Sequence, residues 1–312
     1  MTDILTITLN PALDIATSCD ALLPSHKLRC AHAEHFPGGG GINVARVIQR
    51  LGGDCLALYL AGGMVGQRLQ DLLAAEHVTS HRIAIINETR ESFSVRETRT
   101  GREYRFVLPG PDVSVQEWQA CVDYLASIEP APRYVVLSGS LPPGLPNDSY
   151  AQLVTLAGAR GARVALDSSG PPLAAALNRG VYLVKPSLRE MSELLGRQLD
   201  HEEQWLAGAR QLIDHGITTM VALTMGDQGA LLVTSQGAWR AQALQVSVKS
   251  TTGAGDSFLA SLVWALSGDL APAEALRHGV AAGSAALLQG GTRLCQTDDM
   301  FALLAQVNIR QI

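Results

Sequence analysis

Cysteine is scarce and unpatterned: Cys19, Cys30, Cys55, Cys121 and Cys295 are the only five in 312 residues. An odd count, wide spacing and no C-x-x-C argue against a disulfide framework or a cysteine-rich zinc site, and reduced thiols suit a cytoplasmic protein. Basic charge is short too. Lys and Arg number 24 against 29 Asp and Glu, a net charge of −5, so no global field draws nucleic acid or an acidic membrane, and any positive charge for a phosphate ligand must be local. No stretch approaches the roughly 18 to 20 uncharged apolar residues of a membrane span. The opening MTDILTITLN lacks a basic n-region and carries Asp3, so no signal peptide is expected. A Walker A G-x-x-x-x-G-K-[ST] is missing, and no G-x-G-x-x-G follows the first strand, which removes P-loop and dinucleotide-binding readings. Internal repeats and low-complexity linkers are absent.

What remains is 47% hydrophobic, enough for one large domain spanning 1–312. Short apolar runs alternate with amphipathic helical patterns. Strands are predicted at 4–9, 55–62, 134–139, 163–168, 181–186, 219–224 and 229–234, and helices at 42–52, 67–77, 115–128, 148–161, 188–196, 202–216, 256–268 and 272–289. Continuous apolar strands between helices predict a mostly parallel sheet covered on both faces. Residues 14–37 and 90–109 break the rhythm. The second reads as an antiparallel hairpin turning at Gly101, and together they predict a small strand-built lid.

Four groups of residues suggest chemistry. Thr251-Thr252-Gly253-Ala254-Gly255-Asp256 opens a long apolar helix. Small residues let backbone N–H groups converge there, the helix N-terminus adds positive potential, and Asp256 at the lip is placed to accept a proton from an attacking hydroxyl. The same pattern taken alone is also an ordinary glycine turn with a capping Asp. Pro37-Gly38-Gly39-Gly40-Gly41-Ile42-Asn43 permits close backbone approach, to a ligand or to neighbouring chain, with Asn43 offering donor and acceptor. Asp14 follows the first strand, where a carboxylate suits sugar hydroxyls or is simply solvated. Lys185-Pro186-Ser187 ends another strand, with Glu190 one turn on, either ordering water around Mg²⁺ or complementing the helix dipole. The lid holds Arg90, Arg96, Arg99, Arg102 and Arg105, with Lys27 and Arg29 in its other segment. That local basic concentration in an acidic chain points to a phosphate-bearing substrate.

Together these pieces resemble the ribokinase-like, or PfkB, carbohydrate kinase family: TTGAGDSF at 251–258 matches its G-A-G-D signature and PGGGGINVAR at 37–46 its glycine signature. TLNPALD (8–14) and LSGSLPPG (137–144) look like the branch that phosphorylates sugars already carrying a phosphate, and KLRC (27–30) and QGGTRLC (289–295) strengthen that likeness. The resemblance implies a three-layer α/β/α fold with a β-strand lid. It implies ATP-dependent phosphorylation of fructose 6-phosphate to fructose 1,6-bisphosphate, with fructose 1-phosphate or tagatose 6-phosphate as alternative substrates. A non-catalytic sugar-phosphate-binding regulator is the alternative of another class, though a sensor needs no base at Asp256.

Residue by residue, the family pattern makes Asp256 the base and Gly253, Ala254 and Gly255 the anion hole. Asp14, Gly39 and Asn43 would hold the sugar, while Lys27, Arg90, Arg105 and Ser140 would surround its phosphate. Lys185, Ser187, Thr224, Gly226 and Gly229 would lie along ATP, with Val280 and Ser284 flanking adenine. Glu190 would belong to the Mg²⁺ water shell. Ser250, Thr252, Ala286, Gln289, Gly291 and Arg293 match a K⁺ loop. The family often has Asn, in N-x-x-E, where Ser187 stands here, so weakened or rearranged metal–nucleotide contacts are expected. Such lids often pair across a homodimer.

Overall fold

The structure is a computed structural model describing residues 3–312. Its strands are β1 (Ile4–Thr8), β2 (Ala12–Cys19), β3 (Glu34–Gly38), β4 (Cys55–Ala61), β5 (Ser80–Ala84), β6 (Arg90–Glu97), β7 (Glu103–Val107), β8 (Tyr134–Ser138), β9 (Arg163–Asp167), β10 (Val181–Val184), β11 (Thr218–Thr224), β12 (Ala230–Thr234), β13 (Gly237–Ala241) and β14 (Ile309–Gln311). Its helices are α1 (Gly40–Arg50), α2 (Gly63–Ala75), α3 (Val115–Ser127), α4 (Ser149–Ala159), α5 (Gly170–Leu177), α6 (Leu188–Leu195), α7 (Glu202–Asp214), α8 (Ala254–Ser267), α9 (Pro272–Leu287) and α10 (Thr297–Leu304).

Ten strands form one mixed sheet, ordered β14-β13-β12-β11-β10-β9-β8-β1-β4-β5. From β11 to β5 every pairing is parallel, and β12, β13 and β14 extend the sheet antiparallel. Strand side chains alternate between faces, which builds two cores. Ile4, Ala57, Tyr59, Tyr134 and Val136 pack on the α1, α8 and α9 side, while Leu5, Ile7, Leu58, Val135 and Leu137 pack on the α3, α4 and α7 side. This is the α/β fold with helices on both faces that the apolar runs imply.

The two irregular segments form a separate four-stranded sheet, ordered β3-β2-β6-β7. β6 and β7 pair antiparallel around Gly101, whose φ of 73° needs the freedom of glycine. The segment begins earlier than the sequence suggests, because Ala12 and Leu13 already pair with Arg90 and Glu91.

The parallel strands all end on one edge, where Asn10, Ser140, Ser168, Lys185 and Thr224 emerge. Open α/β sheets bind ligands at that edge. The four glycines before Asn43 owe their identity to packing. A Cβ on Gly40 would stand 2.2 Å from Ser138 Oγ, and one on Gly41 would stand 2.6 Å from Thr8 Oγ1. Only bare backbone lets α1 start against β1 and β8.

Candidate active site

Two cavities meet at the start of α8. One, about 480 Å³, is lined by Thr224, Gly226, Gly229, Ala254, Phe258, Val280 and Ser284 among others. The second, about 430 Å³, is polar and is lined by Asp14, Gly39, Asn43, Arg90, Arg105, Ser140, Lys185, Glu190, Gly253 and Asp256 among others. Thr251 and Gly255 belong to both walls. A ligand in each would therefore converge on the TTGAGD turn.

That turn is built by backbone conformation. Gly253 has φ 75°, and a Cβ there would stand 2.2 Å from Leu294 Cδ2, so no other residue fits. Asp256 sits in the first turn of α8 and accepts a 2.8 Å hydrogen bond from Asn43 Nδ2. Burial pushes its carboxyl above the usual range, while the Asn43 bond, Lys185 and Arg105 pull the other way. A raised carboxylate beside converging N–H groups is the arrangement a general base requires.

Lys185 lies in the polar cavity, against Asp167 at 3.0 Å. Burial, the largest single influence, lowers its pKa, but Asp167, Glu190 and Asp256 together outweigh it and raise the pKa, favouring the charged ammonium. An added Cβ on Gly255 would be 3.6 Å from Lys185 Nζ, so that charge stands beside the TTGAGD turn rather than out along the apolar cavity. Asp167 was not anticipated from the sequence. It is pushed up to about 6 by burial, partly offset by Lys185, and its position at the carboxyl end of β9 is the signal that would have found it.

Asp14 accepts from Thr292 Oγ1 at 2.8 Å, and burial raises its pKa against the pull of that bond, Arg105, Arg46 and Arg90. Arg90 lines the cavity but spends donors on the backbone carbonyls of Asn10, Pro11 and Leu108, stitching the lid to β1's exit. Arg105 is exposed within the polar cavity. Ser140 Oγ accepts from Asn10 Nδ2 at 3.3 Å.

Some expected residues stand elsewhere. Lys27 is exposed in the coil between β2 and β3 and lines neither cavity. Ser187 also lines neither: it caps α6, its Oγ accepting from Glu190 N while Glu190 Oε2 accepts from Ser187 N at 2.8 Å. Glu190 keeps its place in the polar cavity wall. Ser250 Oγ donates to lid residue Glu103 at 2.8 Å, and Thr252 Oγ1 is buried without a partner. Gln289 donates to Asp299, Ala286 is buried, and Arg293 pairs with Glu34 and lies over Phe36. A Cβ on Gly291 would stand 2.8 Å from Ala16 Cβ, so the lid rests on it.

Comparison with known proteins bears on the family of the chain. The family model for pfkB family carbohydrate kinases matches residues 7–299. The chain is 43% identical over 297 residues to the ATP-dependent 6-phosphofructokinase isozyme 2 of Mycobacterium tuberculosis, covering 95% of this chain and 87% of that protein. To the Escherichia coli isozyme 2 it is 40% identical over 309 residues, 99% of this chain and 100% of that one. The crystal structure of Escherichia coli phosphofructokinase-2 with substrates and products superposes with a TM-score of 0.94 at 39% identity, over 97% of this chain and 98% of that one. Signature turns, paired cavities and full-length likeness coincide, and the chain belongs to the pfkB family of carbohydrate kinases.

Proposed function

We propose that this kinase transfers the terminal phosphoryl group of ATP to the free primary hydroxyl of fructose 6-phosphate, giving fructose 1,6-bisphosphate and ADP. The observation that carries the reading is the junction of a polar and a largely apolar cavity at Thr251 and Gly255, with Asp256 in the polar wall. The nucleotide lies in the cavity of Thr224, Gly226, Gly229, Val280 and Ser284, with its phosphates toward α8. The sugar lies in the polar cavity, held by Asp14 and Asn43, with its own phosphate toward Arg105 and Arg90. Asp256 takes the hydroxyl proton, and the N–H groups of the 253–255 turn, with Lys185, stabilise charge on the transferred group. The relatives of Mycobacterium tuberculosis and Escherichia coli named above are ATP-dependent 6-phosphofructokinases by name, and a structure of the Escherichia coli protein is described as a complex with fructose-6-phosphate.

Among the described residues no three His, Cys, Asp or Glu side chains gather into a cage for a metal. That suits Mg²⁺, which is carried largely by phosphate oxygens and water, with Glu190 facing its water shell. Bound there, Mg²⁺ would neutralise charge on the nucleotide. The partnerless hydroxyl of Thr252 fits a hard monovalent cation held by the 250–252 and 286–293 loops, and a structure of the Escherichia coli enzyme is described as a complex with potassium. No helix among the described residues is long and apolar enough to cross a membrane.

Related chains include a 1-phosphofructokinase of Xanthomonas campestris at 35% identity, so the test is a panel of fructose 6-phosphate, fructose 1-phosphate and tagatose 6-phosphate with ADP detection. The expected result is the highest kcat/KM on fructose 6-phosphate, and a lower rate when tetramethylammonium replaces K⁺ at constant ionic strength. A preference for fructose 1-phosphate would overturn the substrate assignment, and unchanged rates without K⁺ would remove the cation.

A further inference from the structure

Arg46 lies on α1, one turn beyond Asn43, and its side chain is 1% exposed. The reaction as described above leaves it without a role. Each of its three nitrogens is nonetheless engaged. Nε and Nη2 form a two-pronged pair with Glu76 Oε2 at 2.8 Å and Oε1 at 2.7 Å. Nη1 donates to Pro37 O at 2.9 Å, Thr292 O at 3.1 Å and Asn43 Oδ1 at 3.3 Å. Glu76 also pairs with Arg50, so a single carboxylate at the end of α2 holds both guanidinium groups.

A guanidinium can only donate. Asn43 must therefore turn its oxygen to Arg46 and its NH₂ the other way, and that NH₂ is the group bonded to Asp256 Oδ2. Reversing the amide would set donor against donor at Arg46 and oxygen against oxygen at Asp256. The same Nη1 holds the carbonyl of Thr292, whose hydroxyl donates to Asp14, and the carbonyl of Pro37, which opens the glycine loop. One buried cation thus meets the partners of two carboxylates of the polar cavity, Asp256 and Asp14.

We propose that Arg46 is a positioning residue: clamped by Glu76, it fixes the Asn43 amide so that Asp256 receives an N–H, and ties Thr292, and with it Asp14, to the same point. The proposal rests on the reading of Asp256 as the base. The Asn43 bond favours the ionised form of Asp256, so a released amide makes Asp256 take up its proton at higher pH. Lys185 at the end of β10, Arg105 on β7 and Asp14 on β2 also face Asp256, as does Asp167 at the end of β9. Arg46 itself also faces Asp14. Removing Arg46 can thus act along two routes, which a double-mutant cycle separates.

In Arg46→Met, the acid limb of the kcat–pH profile should move up by about one pH unit, the scale of one charged hydrogen bond, with kcat falling more than the KM for ATP changes. In an Asn43→Ala background, adding Arg46→Met should move the limb no further. An unmoved limb in the single variant overturns the proposal. So does a movement that persists in full without Asn43, which would assign the effect to Asp14. Should Arg46→Met fail to fold by circular dichroism, Glu76→Gln reads the same cycle by loosening the clamp: a smaller upward shift, absent without Asn43, supports the role, and no shift sinks it. Asp256→Asn is measured alongside. Near-normal turnover there overturns the base itself and this role with it, whereas an inactive Asp256→Asn with an unmoved Arg46 limb overturns only the role of Arg46.

Discussion

Keeping Asp256 ionised in a buried pocket works against the fold. Its carboxyl is raised, chiefly by burial, so the folded chain holds a proton that the unfolded chain releases earlier. Over the interval between the ordinary Asp value and the raised one, stability therefore falls as pH rises. The ionised carboxylate that the proposed reaction uses is the form that burial disfavours. Asp256→Asn keeps the shape and an acceptor for Asn43 while removing that charge. Its thermal midpoint at pH 7 should equal or exceed the parent's, as turnover drops about 10²–10⁴-fold, the scale of general-base loss. Calorimetry and a coupled ADP assay read the two effects, and a variant that is both less stable and still active would contradict the account. Asp256 and Asn43 drew attention in the sequence because glycines precede each at a helix start, and Asp14 because it follows the first strand by way of Pro11; all three line the polar cavity. Thr292 did not, because what gives it meaning is a partner far away in the chain: it reaches Asp14 across 278 residues. Lys27 was picked out by its charge and motif, and neither reveals that it projects from an exposed coil.

Among the elements, α6 joins a structural device to a candidate metal residue. Ser187 and Glu190 form a reciprocal capping box, in which each side chain satisfies a backbone N–H of the other. The sequence offered helix-dipole and metal-water readings of Glu190 as rivals, yet one carboxylate oxygen caps the helix while the residue also lines the polar cavity. Ser187→Ala should lower stability by about 1 kcal/mol, the usual cost of losing a cap. Ser187→Asn should leave stability within about 0.5 kcal/mol, since Asn caps as well as Ser, and should lower the KM for Mg²⁺–ATP by restoring the amide usual in the family. Chemical denaturation and nucleotide titration distinguish the roles; an Asn variant with an unchanged KM would leave Ser187 as a cap alone. Long apolar strands and amphipathic helices were readable from periodicity. α5 was missed because its Gly-Pro-Pro start reads as a turn, although proline is tolerated in a first helical turn. β5 and β14, at the two edges of the sheet, and β13 beside β14 escaped because short strands with mixed side chains lack a continuous apolar run.

At the scale of the molecule, the lid leaves one face uncovered. Its inner residues, Asp14, Ser92 and Arg105, line the polar cavity, and strand alternation sends their neighbours outward. Ile15 pairs with Phe93, and Phe93 with Phe106, so an apolar stripe crosses three strands. Phe93 is 37% exposed and Phe106 52%, with Leu108 also exposed just beyond β7. A contiguous apolar patch on a sheet only four strands wide is a surface that ordinarily meets a partner, and a second copy of the lid offers matching chemistry. In sedimentation, the parent should run as a dimer of the 33.1 kDa chain, and Phe106→Glu, which places a charge at the centre of the stripe, should shift it to monomer without loss of helical signal. Because the same strands carry Arg90 and Arg105, dissociation should raise the KM for the sugar phosphate more than the KM for ATP. A parent that sediments as a monomer at enzyme concentrations, or a Phe106→Glu variant that stays dimeric, would place the subunit contact elsewhere and leave the stripe as a surface of the single chain.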